Sequence, residues 1–289
     1  MSWAAAVRGA GAVGLVLLVA GCGAAEPRAG EPSTSASSPT SASVAEVPGI
    51  AAEAVRLRTD VAVGGQVQVR ITDTGTEPFS VTSVQLDSPG FAPLPPRPVA
   101  ARYAPGQVID LPTPFGAVRC AEAVDPVAAR LSVERPNGAV DELVVPLAGG
   151  TMAQVFAEQC AVEDVLAVVD ISVLDLAASG DALGADVVLT RRSGEDDVVV
   201  SALAPSVVLD PVPAQELPVT LAAGEEQLRL PITFDAERCD PHALAETKQP
   251  FRFPLTVTVG DGDPVPVDLP LDQAQERQLQ EHLARVCTD

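Results

Sequence analysis

Apolar and polar residues alternate in short runs through most of the chain. Gln66-Val67-Gln68-Val69-Arg70-Ile71-Thr72 and Gln227-Leu228-Arg229-Leu230 are clear instances. A period of two puts every second side chain on one face of a strand, and Val, Ile and Thr pack well on a half-buried pleat. The runs are separated by residues that turn a chain: Asp73-Thr74-Gly75, Ser88-Pro89-Gly90, Pro136-Asn137-Gly138, Arg192-Ser193-Gly194 and Gly260-Asp261-Gly262-Asp263. Asn137-Gly138 lies between Leu131-Ser132-Val133 and Val140, and Val257-Thr258-Val259 leads toward Val265-Pro266-Val267, so both places predict hairpins.

Two segments follow a helical period instead. Asp272 is placed to cap a helix carrying Leu279, Leu283 and Cys287 at i, i+4 and i+8, and Thr151 to cap a shorter one with Phe156 and Cys160 four apart. Each such segment closes a stretch of strands, and the stretches repeat. LPTPFGAVRC at residues 111–120 returns as LPITFDAERC at residues 230–239, with Leu, Pro, Phe, Ala, Arg and Cys in the same order at an offset of 119. Val69-Arg70-Ile71-Thr72 aligns with Val187-Val188-Leu189-Thr190 at offset 118, and Phe79–Val84 with Val198–Leu203 at offset 119. A period this long suits a domain with its own core rather than a solenoid repeat. The expected fold is mainly β: two tandem immunoglobulin-like β-sandwich domains from an internal duplication, at residues 53–163 and 164–289, with six to eight strands each and a C-terminal helix on each. Neither has the core Trp of true immunoglobulin domains, since the one Trp of the chain is Trp3.

The chain opens MSWAAAVRGAGAVGLVLLVAGC, with an early Arg8, an apolar run from Ala10 to Ala20 and small residues leading into Cys22. The run is short for a permanent span and has the layout of a secretory signal. Val19-Ala20-Gly21-Cys22 resembles the lipobox of bacterial lipoproteins. The resemblance covers 22 residues and implies removal of residues 1–21, acylation of Cys22 and tethering to the outer face of the cell membrane. Each buried methylene of an acyl chain contributes about 0.8 kcal/mol, so two or three chains hold where one would be marginal. Residues 22–52 are rich in Ser, Ala, Pro, Gly and Thr and read as a flexible linker. Together with the Arg-rich, Lys-poor, Ala/Val/Pro/Gly/Asp-rich composition, this resembles the uncharacterised two-domain secreted lipoproteins of actinobacteria.

Acylation would take Cys22 out of the cysteine count and leave Cys120, Cys160, Cys239 and Cys287. Four cysteines permit three pairings, and the repeat selects one: Cys120 with Cys160, and Cys239 with Cys287. Each bridge would tie the Phe-x-Ala-x-Arg-Cys segment to the helix that closes its own domain. Arg119 and Arg238, beside those cysteines, are expected to pack their stems and pair with local acids rather than hold a ligand.

Charge narrows the partners. The chain carries 39 acidic against 18 basic residues, a net charge of −21, and loss of Arg8 with the signal takes it to about −22. Nucleic acid is therefore disfavoured as a partner, and anionic lipid headgroups are repelled, which leaves the membrane to the lipid anchor. A possible envelope protein or polymer remains as partner.

Catalytic patterns are sparse. His242 and His282 are the only histidines, and no Gly-x-Ser-x-Gly, Cys-x-x-Cys, His-Glu-x-x-His or Gly-rich phosphate loop occurs. A Cys239–Cys287 bridge would draw His242 and His282 toward each other near Asp240 and Glu281, a weak candidate for Zn²⁺ or Cu²⁺. The simpler expectation is two exposed histidines. Gly194-Glu195-Asp196-Asp197 and Asp261-Gly262-Asp263 lack EF-hand spacing and read as acidic turns rather than Ca²⁺ loops. The expected function is a membrane-anchored, extracytoplasmic binding or structural module without catalytic activity or cofactor. The alternatives are a metal-handling lipoprotein using His242 and His282, and a cell-wall-directed hydrolase with paired carboxylates.

Overall fold

The computed structural model describes residues 44–180, 182–236 and 238–287. The signal segment, Cys22 and most of the expected linker lie outside those residues. Seven strands come first: β1 (Ile50–Val55), β2 (Gln66–Asp73), β3 (Phe79–Asp87), β4 (Arg97–Tyr103), β5 (Val108–Pro114), β6 (Ala128–Glu134) and β7 (Val140–Ala148), with a one-turn helix α1 (Arg58–Val63) between β1 and β2. β1 starts inside the stretch read as linker up to residue 52, because Ile50, Ala52 and Ala54 alternate into the core.

β2 shows how the pattern builds the fold. Val67, Val69 and Ile71 are fully buried, while Arg70 and Thr72 face outward. At about 1.5–3 kcal/mol for each large apolar side chain buried, one such strand face outweighs any single polar contact on its other side. The strand order is β4-β3-β6-β7-β1-β2-β5. β1 runs antiparallel to β2 over its whole length but meets β7, in parallel, only at Ala52↔Leu147 and Glu53↔Ala148. It thereby joins two groups of strands, β1-β2-β5 and β4-β3-β6-β7, whose inner residues share one core that includes Val69, Ile71, Leu111, Val81, Leu131 and Val133.

The chain continues through α2 (Thr151–Val168) straight into β8 (Val169–Ser179), and then β9 (Ala182–Arg191), β10 (Val198–Leu203), β11 (Leu209–Pro213), β12 (Val219–Leu221), β13 (Gln227–Ala236), α3 (Pro241–Glu246), β14 (Pro254–Val259), β15 (Val265–Asp268) and α4 (Gln273–Val286). These strands form two sheets, β12-β10-β14-β15 and β11-β13-β9-β8, around a second core. The fold is mainly β, with several sheets and two disulfides.

The two halves pair their strands in matching register. Val69↔Leu111 between β2 and β5 has its counterpart in Val187↔Leu230 between β9 and β13. Phe79↔Tyr103 between β3 and β4 corresponds to Val198↔Leu221 between β10 and β12. The ladder slips between Val81 and Ser83 in β3, and again between Val200 and Ala202 in β10. A bulge re-aims a strand at one position, and these two lie 119 residues apart. The halves also differ. β11 adds an edge strand to the second, and the parallel contact of β1 with β7 has no counterpart between β8 and β15.

The helices depart from expectation in an informative way. α4 is capped by Asp272, whose carboxylate accepts from the N–H of Ala274 and Gln275, while Gln275 returns a bond to the Asp272 N–H. Leu279 and Leu283 are buried beneath it. α2 is not the short helix expected from Thr151. It has 18 residues, its N-cap is Gly150 without a side-chain bond, and it runs across the expected boundary at 163/164. Met152, Val155 and Phe156 pack into the first core, whereas Val162, Val165 and Leu166 pack into the second. One helix thus serves two cores along its length, which is why it lacks a single apolar stripe. The described residues accordingly belong to one unit of mutual contacts.

Candidate functional site

The cysteines are joined Cys120 to Cys160 and Cys239 to Cys287, with Cα–Cα separations of 5.6 and 5.1 Å. Each bridge links the end of a Phe-x-Ala-x-Arg-Cys phrase to a closing helix, the first to α2 and the second to α4. Arg238 pairs with Asp240 at 3.0 Å, and hydrogen bonds from the Ala243 N–H and from Arg238 hold the Asp240 carboxyl below the usual carboxylate range. Arg119 is exposed and has no ion-pair partner among the described residues.

The two histidines have opposite surroundings. His242 is exposed on α3, 3.3 Å from Glu246. His282 is buried, against the expectation of an exposed residue on α4. Its Nε2–H donates to the carbonyl of Phe234 at 3.1 Å, and its Nδ1 accepts from Arg285 at 3.3 Å. Both ring nitrogens are occupied, so this imidazole has no lone pair to offer a metal. Burial, helped by the Arg285 charge, pushes its pKa down. Among the described residues no three His, Cys, Asp or Glu side chains come together to hold a metal ion.

The acidic turns are braced by protein groups. Asp197 accepts from the Ala223 N–H at 2.8 Å, and its carbonyl accepts from the Gly260 N–H at 2.9 Å. Arg191 reaches across to the carbonyls of Asp196, Leu221, Ala222 and Glu225.

A groove between the two halves has the chemistry that the sequence did not bring together. One wall is α1 and its start, with Arg58, Thr59, Val61 and Ala62. The other comes from the β10–β11 loop, with Pro205 and Val207, and from the segment between α3 and β14, with Thr247, Lys248 and Arg252. The groove has a volume of about 920 Å³ and is open to solvent. Val61 and Val207 are 37% and 47% exposed there, an apolar surface that the protein's own fold leaves uncovered.

α1 holds its wall in place through a buried acid. The Asp60 carboxylate, 1% exposed, accepts from the Leu57 N–H and the Gln66 Nε2 at 2.8 Å each, and also from Gln68 Nε2. Gln68 is therefore buried in β2, a polar break in the apolar alternation with a defined purpose. Arg252 spans the groove base, donating to Asp268 at 2.7 Å and to the Val61 carbonyl at 3.5 Å. Arg58 and Lys248, by contrast, have no side-chain partner among the described residues. Lys248 is the chain's only lysine. Local sequence reading missed this site because its walls come from residues near 60, 205 and 250, each unremarkable by itself.

No protein-family model matches the chain, and no curated protein matches it significantly. Among solved structures, the YadV chaperone is 12% identical, covers 77% of this chain and 100% of its own, and has a TM-score of 0.21. Red sea bream transglutaminase is 9% identical over 79% of this chain and 32% of its own, at 0.22. A protein of unknown function from Porphyromonas gingivalis W83 is 16% identical over 71% of this chain and 91% of its own, at 0.21. Likenesses this weak bear on neither the fold family nor the function of the chain.

Proposed function

We propose that the protein is an extracytoplasmic lipoprotein, held at the outer face of the cell membrane by an acylated Cys22, that acts as a non-catalytic binding module of the envelope. Its body is read as two immunoglobulin-like sandwiches from an internal duplication. Supporting that reading are the matched registers Val69↔Leu111 and Val187↔Leu230, and the ladder slips at Val81/Ser83 and Val200/Ala202. The linker after Cys22 would carry the body away from the bilayer, and the net charge of −21 would keep its surface off anionic headgroups. The observation that carries the binding role is the open groove between the halves, with exposed Val61 and Val207 beside the uncommitted Arg58 and Lys248. Exposed apolar surface rimmed by polar and charged side chains is the kind of surface that marks an interaction site.

The test places a photoreactive phenylalanine analogue at Val207, or at Val140 on the first half, in the full chain expressed in its own membrane. Acylation is followed with an alkyne fatty acid. Crosslinks to an envelope component from position 207 and not from 140, lost together with acylation when Cys22→Ser is introduced, are expected. Equal crosslinking from both positions, or label on the C22S chain, would overturn the reading.

A further inference from the structure

We infer that the groove between the halves receives an extended polypeptide segment bearing carboxylates along an apolar strip; the inference rests on the groove being the module's binding surface.

Charge is the first argument. Acids outnumber bases by 39 to 18, and many arginines elsewhere are committed to carboxylates: Arg56 to Glu158, Arg70 to Asp110 and Glu53, Arg130 to Asp87, Arg135 to Asp141, Arg192 to Asp170, Arg229 to Asp186 and Arg238 to Asp240. Arg58 and Lys248 line one groove with no partner among the described residues, and Arg252, also on the lining, is paired with Asp268 at 2.7 Å. Glu246 is the one acid on the lining, and it lies 3.3 Å from His242. With Arg252 matched by Asp268, the two unpaired cations Arg58 and Lys248 stand against Glu246 on the lining. At physiological ionic strength the Debye length is about 8 Å, so a bound group inside the groove responds to Arg58 and Lys248 more than to acids elsewhere on the chain.

Shape and polarity are the second. Sites for small molecules enclose most of their ligand, whereas this groove is open to solvent, which suits a chain lying across it. Its apolar contacts, Val61, Pro205, Val207 and Pro254, accompany the cations on both walls, so a segment with alternate apolar and acidic residues would satisfy both at once. The segment between α3 and β14 also keeps donors free: the N–H groups of Lys248 and Gln249 bond to no other described residue. A main-chain carbonyl of an extended guest is the partner such donors take. Duplex nucleic acid would bring a row of phosphates against a chain of net charge −21, and is disfavoured.

The experiment measures fluorescence anisotropy of two labelled octapeptides, one alternating Glu with Val and one alternating Lys with Val, against the purified full chain. The Glu peptide is expected to bind and the Lys peptide not. R58E/K248E should weaken the Glu peptide by at least about tenfold, the loss of two charge-assisted contacts, while R102E/R277E leaves it unchanged. Arg102 and Arg277 are exposed and lie outside the groove, so this control carries the same change of net charge. Raising the salt from about 50 to about 500 mM should weaken binding too. Equal binding of the Lys peptide, no binding of either, equal effects of the two double variants, or complete competition by inorganic phosphate alone would each overturn the inference. Crosslinking from position 207 in the membrane is scored separately: if it persists while the Glu peptide fails, the module stands and the ligand class falls.

Discussion

Arg70 grips Asp110 with two hydrogen bonds across the β2–β5 pair, Nε to Oδ1 at 2.7 Å and Nη2 to Oδ2 at 2.9 Å, at positions directly opposite in register. Glu53, opposite Arg70 on the other side, adds a third bond at 3.4 Å, so one guanidinium ties β1, β2 and β5 together on their outer face. The pair holds the Asp110 carboxyl below its ordinary 3.8, the hydrogen bond from Arg70 being the larger cause. A depressed folded pKa adds stability that is complete above the ordinary value and disappears as pH falls through the folded one. Both side chains are about a third exposed, so solvent screening keeps the pair's contribution small. D110N is expected to lower the melting temperature by a few degrees at pH 7, with the variant and parent curves converging below about pH 4. Far-UV circular dichroism melts from pH 2 to 7 check this.

His282 sets a different pH dependence. The folded chain holds it neutral, with its pKa below 6.5, because it is buried and faces Arg285; the Phe234 carbonyl and nearby Asp235 oppose the shift. The unfolded chain takes up a proton at about 6.5 and the folded chain resists it, so stability is whole above that value and declines as pH falls below it. Urea titrations at pH 7.5, 6.5 and 5.5 should show the decline. H282F should flatten it while costing about 1 kcal/mol at pH 7.5 for the orphaned Phe234 carbonyl. H242A, at an exposed side chain on α3, should keep the parent's slope.

Where local period decides structure, the sequence reads correctly. β2 and β13 follow from alternation, α4 from Asp272 and the Leu279–Leu283 stripe, and the hairpin turns from Asn137-Gly138 and Gly260–Asp263. The repeated phrase carries more, since Leu111 and Leu230 occupy equivalent ladder positions opposite Val69 and Val187. What escaped has a physical reason in each case. α2 looks short because its two ends answer to different cores, and His282 looks exposed because a polar ring satisfied by a carbonyl and an arginine carries no mark in the local pattern. The groove depends on three distant segments meeting, and Asp60, which positions one of them, reads locally as an ordinary acid in a turn.

The shared helix makes the halves interdependent. Val165 is 4% exposed in the second core although it precedes β8, and Met152 is 2% exposed in the first. Residues 44–168 made alone would leave Val162, Val165 and Leu166 uncovered, and residues 169–289 made alone would lose them as a lid. V165A in the full chain is expected to cost about 1–2 kcal/mol, and both half-chains should melt below the full chain. Half-chains as stable as the whole would show that α2 couples nothing.

The first disulfide acts on the same helix. Cys120 and Cys160 are separated by 40 residues, for which loop-closure entropy gives a stabilisation of up to about 4 kcal/mol. C120S/C160S should therefore lose about 2–4 kcal/mol in urea titrations followed by circular dichroism. C239S/C287S should lose a similar amount, because its separation of 48 residues changes the logarithm of loop length very little.

Asp60 links stability to the groove. Its carboxylate gathers the Leu57 N–H and two glutamine amides in a buried site, and no water-facing side chain substitutes for it there. D60A leaves three donors without an acceptor, a cost of about 2–4 kcal/mol when they cannot reach water. D60N keeps the shape but turns an amide N–H₂ either toward the Leu57 N–H or toward both glutamine amides, donor against donor. Both variants free α1, and with it Arg58 and Val61, from a fixed place opposite Lys248 and Val207. The expected signature is a double one: a lower melting temperature, and a weaker anisotropy response to the Glu-Val octapeptide at a temperature where the chain is still folded. A variant destabilised in a strand that contributes nothing to the groove lining, such as V187A in β9, should bind the peptide as the parent does. If D60N and V187A bind alike, α1 does not shape the groove, and the wall it forms is incidental to recognition.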